Sequence, residues 1–254
     1  MISIAERHKF ILESLRKDGF IKVVDMAKSL DVTTVTIRKD LKYLEGKKML
    51  YRTHGSASPI NPLASDLDVT EKQKMRMDEK KRIALAACRL VEENDSIIIA
   101  SGSTVFTFAE NIKPINHLTV VTASLKVAIL LNELNNVDVL QLGGMVRKNS
   151  VSVVGAYSTR LFEDITCSKL FLGVDGIDPE YGITNSNIEE AQLNKIMMNS
   201  SLRTVILADS TKFGKRGFGK ICNLDQVDII ITDSGIPGMM AKMIEESGVE
   251  LIIA

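Results

Sequence analysis

Two groups of residues in this sequence could do chemistry, and they lie far apart. In TTVTIRKDLKYL, at 33–44, Arg38, Lys39 and Lys42 recur at helical spacing beside the apolar Val35, while Ile37, Leu41 and Leu44 share the opposite face. One face suits a core and the other a polyanion. Arg38 has the planar fork that donates to guanine O6 and N7 together, and Val35 suits a thymine methyl. Thr34 and Thr36 stand at the same helix start, and Lys39, Lys42, Arg52 and His54 suit phosphate contacts, which add affinity without sequence information. The second group is a series of small polar turns. It runs through Ser101, Gly102, Ser103 and Thr104, then Ser124, Gly143, Gly144 and Arg147, then Asp175, Gly176 and Asp178, then Asp209 and Lys212. N–H groups at a helix start, backed by hydroxyls, favour phosphate. With an arginine, a lysine and carboxylates added, the set describes a pocket for a phosphorylated polyol or sugar.

The elements that must position the first group are short. The pattern predicts helices over 3–17 and 24–30, a tight turn at 31–32, and a third helix capped by Thr33. Residues 49–53 alternate like a strand and His54-Gly55 turns it. A helix-turn-helix followed by a β-wing is the expected N-terminal unit, in which the third helix enters the DNA major groove. From 56 to 68 the residues are small and irregular, with Pro59 and Pro62, as in a linker. One helix is expected over 70–93.

The second group sits after apolar runs at 96–100, 118–122, 137–142, 169–174, 203–208 and 227–232, with a further run at 249–253. Continuous apolar runs separated by helices are strands buried on both faces of a mostly parallel sheet. In such sheets ligands bind beyond the carboxyl ends of the strands.

Composition sets the bounds. The 254 residues hold 32 Lys+Arg and 32 Asp+Glu, so the whole chain is neutral, but residues 1–58 hold 12 cations against 7 anions, a local +5 that leaves −5 for the rest. A basic module heading an acidic body confines a nucleic-acid contact to the N-terminus. Cys88, Cys167 and Cys222 form no CxxC and the three histidines show no ligand spacing, so neither a metal nor a disulfide framework is expected. No cofactor is expected either. MISIAERHKF meets charge before any apolar stretch, and no apolar run spans a bilayer, so the expected location is cytoplasmic, with no membrane partner. GKRGFGKI, at 214–221, nearly fits a nucleotide phosphate loop, but Ile221 replaces the hydroxyl that would hold Mg²⁺, and no GxGxxG occurs.

TIRKDLKYLEGKKMLYRTHGSA, at 36–57, resembles the N-terminal signature of the DeoR family of bacterial transcriptional repressors. SGST, GGMVR, KLFLGVDGID, GITNSNIEEAQLNKIMM and LADSTKFG are similar to that family's successive motifs, so the resemblance covers essentially the whole chain. It implies an α+β winged helix-turn-helix at 1–57, a linker at 58–70, and at 71–254 an α/β sensor with a mostly parallel sheet similar to ribose-5-phosphate isomerase and glucosamine-phosphate deaminase. It implies that Asp175 and Asp178 correspond to an isomerase active-site pair, Glu189 or Glu190 to a nearby acid, and Lys195 to a residue closing the pocket, with Asn187 in the same motif. The sequence departs from the family in reading HGS for HGG, at Gly55-Ser56, and in Ala123 where an Asn is usual.

The expectation is therefore a repressor, at least a homodimer on an inverted-repeat operator of double-stranded DNA, released by a phosphorylated sugar and without catalytic residues. The rivals are a sugar-phosphate isomerase with an accessory DNA-binding domain, and a repressor that senses a protein or a nucleotide.

Overall fold

A computed structural model describes residues 2–18, 20–53, 55–58, 64–114 and 116–254. The N-terminal unit comprises α1 (Ile4–Asp18), β1 (Ile21–Lys22), α2 (Val23–Ser29), α3 (Thr34–Gly46), β2 (Tyr51–Thr53) and β3 (Ser56–Ser58). Its core forms where the apolar faces of the three helices meet, through Ile11, Leu15, Met26, Ile37, Leu41 and Leu44. The three strands pair antiparallel in the order β1-β3-β2, so the wing has its return strand in Ser56–Ser58, where a linker was expected to begin. A strand of three small residues carries no alternation by which to read it.

The connection to the body is built as well. Ala64 N–H donates to Arg216 O at 2.8 Å, Val69 N–H donates to Asn149 O at 2.7 Å, and Asp68 caps α4 (Val69–Lys74) through Thr70 N–H. Residues 64–68 thus lie against the body instead of forming a free tether, while Pro59 and Pro62 fall outside the described residues. The single helix expected over 70–93 is two, α4 and α5 (Met77–Cys88). The break has a physical cause: the buried Lys80 ammonium donates to the carbonyls of Lys72 and Met75, closing the end of α4, and Arg76 turns at φ 55°.

The body continues as β4 (Ser96–Ile99), α6 (Ser103–Asn111), β5 (Leu118–Thr122), α7 (Leu125–Leu131), β6 (Val137–Gln141), the hairpin β7 (Met145–Arg147) and β8 (Ser152–Val154), and α8 (Ala156–Thr159). Then come β9 (Cys167–Gly173), β10 (Gly176–Asp178), β11 (Gly182–Asn185), α9 (Ile188–Asn199), β12 (Ser201–Leu207), β13 (Gly219–Cys222), β14 (Ile229–Thr232), α10 (Gly238–Glu246) and β15 (Glu250–Ile253). Seven of these strands form one sheet, ordered β15-β14-β12-β9-β4-β5-β6, and every pairing in it is parallel. Successive residues point to opposite faces: Ile97 and Ile99 enter the cluster with α5, α6 and α7, whereas Ile98 enters the one with α9 and α10. Both faces are covered, which is why the strands read as unbroken apolar runs.

From β4 the chain builds the sheet one way through β5 and β6, then the other way through β9, β12, β14 and β15. The crevice between the carboxyl ends of β4 and β9 is therefore the topological switch point. Two short antiparallel sheets, β7-β8 and β10-β11-β13, rise beside it. Among the described residues, no helix is long and apolar enough to cross a membrane.

Candidate functional site

In α3 the Thr33 hydroxyl accepts from Thr36 N–H at 3.1 Å, fixing the helix start after a turn in which Asp31 adopts φ 47°. Ile37, Leu41 and Leu44 are buried, while Val35, Arg38, Lys39 and Lys42 are exposed together, with Val35 at 55 %. Thr34 and Thr36 are half-buried at the edge of that face, and the Thr36 hydroxyl meets that of Thr33 at 3.0 Å. Among the described residues, Arg38, Lys39 and Lys42 belong to no ion pair, which leaves three cations beside an exposed valine. Arg52 differs: its Nε donates to Glu45 at 2.7 Å, tying the wing to the end of α3. His54 lies outside the described residues.

A residue the sequence reading passed over holds this surface in place. Asp40 is buried under α3 and accepts from Arg7 Nε at 2.5 Å and Nη2 at 2.9 Å, with His8 Nε2 at 3.1 Å. Burial raises the Asp40 pKa, but the bonds from Arg7 and His8 outweigh it and hold the carboxyl below its usual range.

The second site lies at the switch point. Ser101, Gly102, Ser103 and Thr104 run from β4 into α6, and Gly102 takes φ 135°, which side-chain-bearing residues rarely adopt, to turn the backbone there. The same pocket is lined by Arg147 from β7, Asp175 after β9, Glu190 from the first turn of α9, and Lys212. It also includes residues with no sequence signal of their own: Asp66 and Lys72 from the connection, Asn149 and Ser150 from the β7-β8 turn, and Asn185 at the end of β11.

Charge in the pocket is balanced in two pairs. Lys72 Nζ donates to Asp175 Oδ1 at 2.7 Å, and Asp175 Oδ2 accepts from Ser186 through both its N–H, at 3.0 Å, and its hydroxyl, at 2.7 Å. Burial pushes the Asp175 pKa up, but the Lys72 and Lys212 charges and the Ser186 N–H prevail and hold it at about 2. Arg147 Nη2 is paired with Asp66 Oδ2, and its Nη1 lies 3.5 Å from Glu190 Oε1. That oxygen is buried and, among the described residues, accepts no hydrogen bond. Burial raises the Glu190 pKa and lowers that of Lys212. An unfilled acceptor beside an arginine, facing two lysines across hydroxyls and N–H groups, is equipped to hold a ligand bearing both anionic and hydroxyl groups.

Several expected site residues have other tasks. Ser124 caps α7 by accepting from Val127 N–H at 3.4 Å, and Asn187 caps α9 through Glu189 N–H at 3.0 Å and Glu190 N–H at 3.1 Å. A Cβ on Gly144, at φ 144°, would strike Ser158 Oγ and Val154 O, and Gly143 O accepts from the Ser158 hydroxyl at 2.7 Å. Gly176 packs against the Lys215 backbone, and Asp209 accepts from Thr211 N–H at 3.0 Å. None of these lines the pocket. Asp178 is likewise taken, by Arg216 Nε at 2.7 Å and by the N–H groups of Glu180 and Tyr181. Lys195 is exposed on α9 and is not among the residues lining the pocket. In α9 the residues facing inward are Glu190, Ala191, Leu193, Asn194 and Met197, and Lys195 falls between them on the outer turn.

The chain matches two family models, described as a DeoR-like helix-turn-helix domain over residues 7–62 and a DeoR C terminal sensor domain over residues 75–234. It is 36 % identical over 248 residues to the uncharacterized HTH-type transcriptional regulator YulB of Bacillus subtilis, covering 98 % of this chain and 96 % of that one. It is 31 % identical to the HTH-type transcriptional regulator GolR of Listeria innocua, covering 98 % of each chain. It is 32 % identical to the lactose phosphotransferase system repressor of Staphylococcus epidermidis, covering 95 % of this chain and 96 % of that one. Among solved structures, ribose 5-phosphate isomerase A of Neisseria gonorrhoeae aligns over 54 % of this chain and 53 % of that one, at 25 % identity and a TM-score of 0.39.

Proposed function

The chain belongs to the DeoR family of transcriptional regulators, and from that premise we propose that it represses a carbohydrate-metabolism operon and is released by a phosphorylated sugar bound at the switch point. It is a DNA-binding regulator and not an enzyme. The observation that carries the effector reading is Glu190 Oε1, a buried oxygen that accepts no hydrogen bond among the described residues, set 3.5 Å from Arg147 Nη1 in the pocket that the Ser101–Thr104 turn also lines. In this reading the turn holds phosphate through N–H groups and hydroxyls, Lys212 adds charge, and Asp175 and Glu190 accept from sugar hydroxyls. The name of the Staphylococcus epidermidis relative supports a sugar-linked role.

On the DNA side, Arg38 and Val35 read base edges, and Lys39 and Lys42 with Thr34 and Thr36 hold the backbone. Arg52 reaches phosphate with the guanidinium donors that Glu45 leaves free, and His54 belongs to the same wing contact. One winged helix covers a half-site, so the working unit is a homodimer on an inverted repeat, in the cytoplasm and on the nucleoid when bound. The residues at 1–57, with Ser58 completing the return strand of the wing, form the DNA-binding domain and those from 71 onward the sensor.

A thermal-shift screen of phosphorylated sugars beside their unphosphorylated forms tests this reading. A ligand bound only by the folded protein raises the melting temperature. One phosphorylated sugar should do so and release operator DNA, and its unphosphorylated form should do neither. Equal shifts from both forms would remove phosphate from the reading.

A further inference from the structure

The pocket at the switch point is a part-open cleft whose inner cavity is only about 40 Å³. Small-molecule sites are roughly 300–1,000 Å³, so a sugar phosphate is not taken in fully until a wall moves. Most walls cannot move cheaply. Ser101–Thr104 and Asp175 follow central strands, and Glu190 belongs to α9, which is packed on the sheet through Ala191 and Met197. The β7-β8 hairpin, which brings Arg147, Asn149 and Ser150, is anchored in the core by Val153, Asn185 ends β11, and the connection supplies Asp66, Leu67, Val69 and Lys72. Apart from the buried Val69, its hold on the body is mostly polar: Asp66 on Arg147, on Ser186 Oγ at 3.3 Å and on Asn149 Nδ2 at 3.3 Å, Lys72 on Asp175, Lys126 on Thr70 and Gln73, and the N–H bonds of Ala64 and Val69. Asp66 is also more than a third exposed, so its pair with Arg147 is the weaker kind.

We infer that residues 64–74 are a displaceable wall, and that an anionic ligand enters by taking Arg147 from the Asp66 carboxylate, lifting the segment that leads back to the wing. The inference rests on the switch-point pocket being the effector site. Asp66 holds the place of a ligand anion: a carboxylate on a buried guanidinium, reachable from solvent and brought by the segment between the two domains. Ligand and docked connection then exclude one another at Arg147. The exclusion passes to DNA because the connection runs from β3, which is paired with β2 of the wing, into α4 and α5 on the body. By reciprocity, operator DNA that favours the docked connection weakens ligand binding by the same factor.

The test uses the full chain, inorganic phosphate as probe, and two measurements. Calorimetric titration of the parent and of Asp66→Asn should show the variant binding phosphate about two- to tenfold more tightly, because its competitor has lost its charge. Hydrogen exchange in the parent should become faster at the Ala64 and Val69 amides when phosphate is added, although ligands ordinarily slow exchange. Phosphate binding with slower or unchanged exchange at both amides, or no tighter binding by Asp66→Asn, overturns the displaceable wall and leaves the pocket reading in place. If neither protein binds phosphate while both still bind operator, the pocket reading fails, and the displaceable wall fails with it.

Discussion

Arg38 and Lys42 lie on the same exposed face of α3, yet their removal should have different consequences. Arg38→Ala should cost about 1–3 kcal/mol of operator binding and blur the preference at one base pair, while Lys42→Ala should weaken all sequences about equally. Gel shifts against a set of single-base operator variants distinguish the two, and an unchanged profile for Arg38→Ala would remove it from base reading. Glu190 gives a pH prediction. Its folded pKa is raised above the ordinary 4.5 because burial outweighs the Ser150 hydroxyl and the Arg147 charge. Its contribution to stability is therefore fully present below about 4.5 and is lost as pH rises through the raised value. Glu190→Gln imitates the protonated form at all pH values. The variant should melt above the parent at neutral pH, with the gap closing toward pH 4.5. A variant that melts below the parent at neutral pH would mean that the Ser150 and Arg147 contacts are together worth more than the burial they oppose.

At the scale of elements, the exposed basic face of α3 is kept outward because α1 holds the helix from behind. Asp40 looks in sequence like one more charge on a charged helix, but it points inward to Arg7 and His8. Breaking a buried pair by removing one partner strands the other, so Asp40→Ala should destabilise the winged helix by about 3–5 kcal/mol. Chemical denaturation of the full chain should show the N-terminal transition at lower denaturant, whereas an unmoved transition would reduce the clamp to a surface contact. By contrast, Glu45 and Arg52 are each about a third exposed, and Glu45→Gln should cost no more than about 1 kcal/mol. Asp40 also sets an acid limit. Its depressed pKa means that the stability it lends is present above about 3.8 and is lost as pH falls through its lower folded value.

For the whole molecule, the uneven charge is part of the design. In the proposed complex the +5 of residues 1–58 belongs to the domain that binds DNA and the −5 to the remainder, so salt should weaken operator binding in proportion to the few cations engaged. Footprinting should reveal two half-sites related by inversion, and light scattering a mass of at least two 28.0 kDa chains. A monomer protecting one half-site would contradict the proposed assembly.

Local patterns determined much of this protein. Helical spacing showed which side of α3 is buried, unbroken apolar runs showed a doubly covered parallel sheet, and the turns after the strands at 96–100 and 169–174 marked Ser101–Thr104 and Asp175 as pocket residues. Each of these depends on a residue and its near neighbours, which is the range at which periodicity and strand-end rules operate. Other roles were decided by contacts distant in sequence. Asp66 meets Arg147 81 residues away and Lys72 meets Asp175 103 residues away, so neither showed as a pocket residue, and the connection read as a plain linker. Asp178 and Lys195 sit in the right motifs but are turned elsewhere, one to Arg216 and the other to the outer side of α9. Residue type and spacing determine what a side chain is able to do. Which partner it meets is decided by the packing of segments that the chain brings together only when folded.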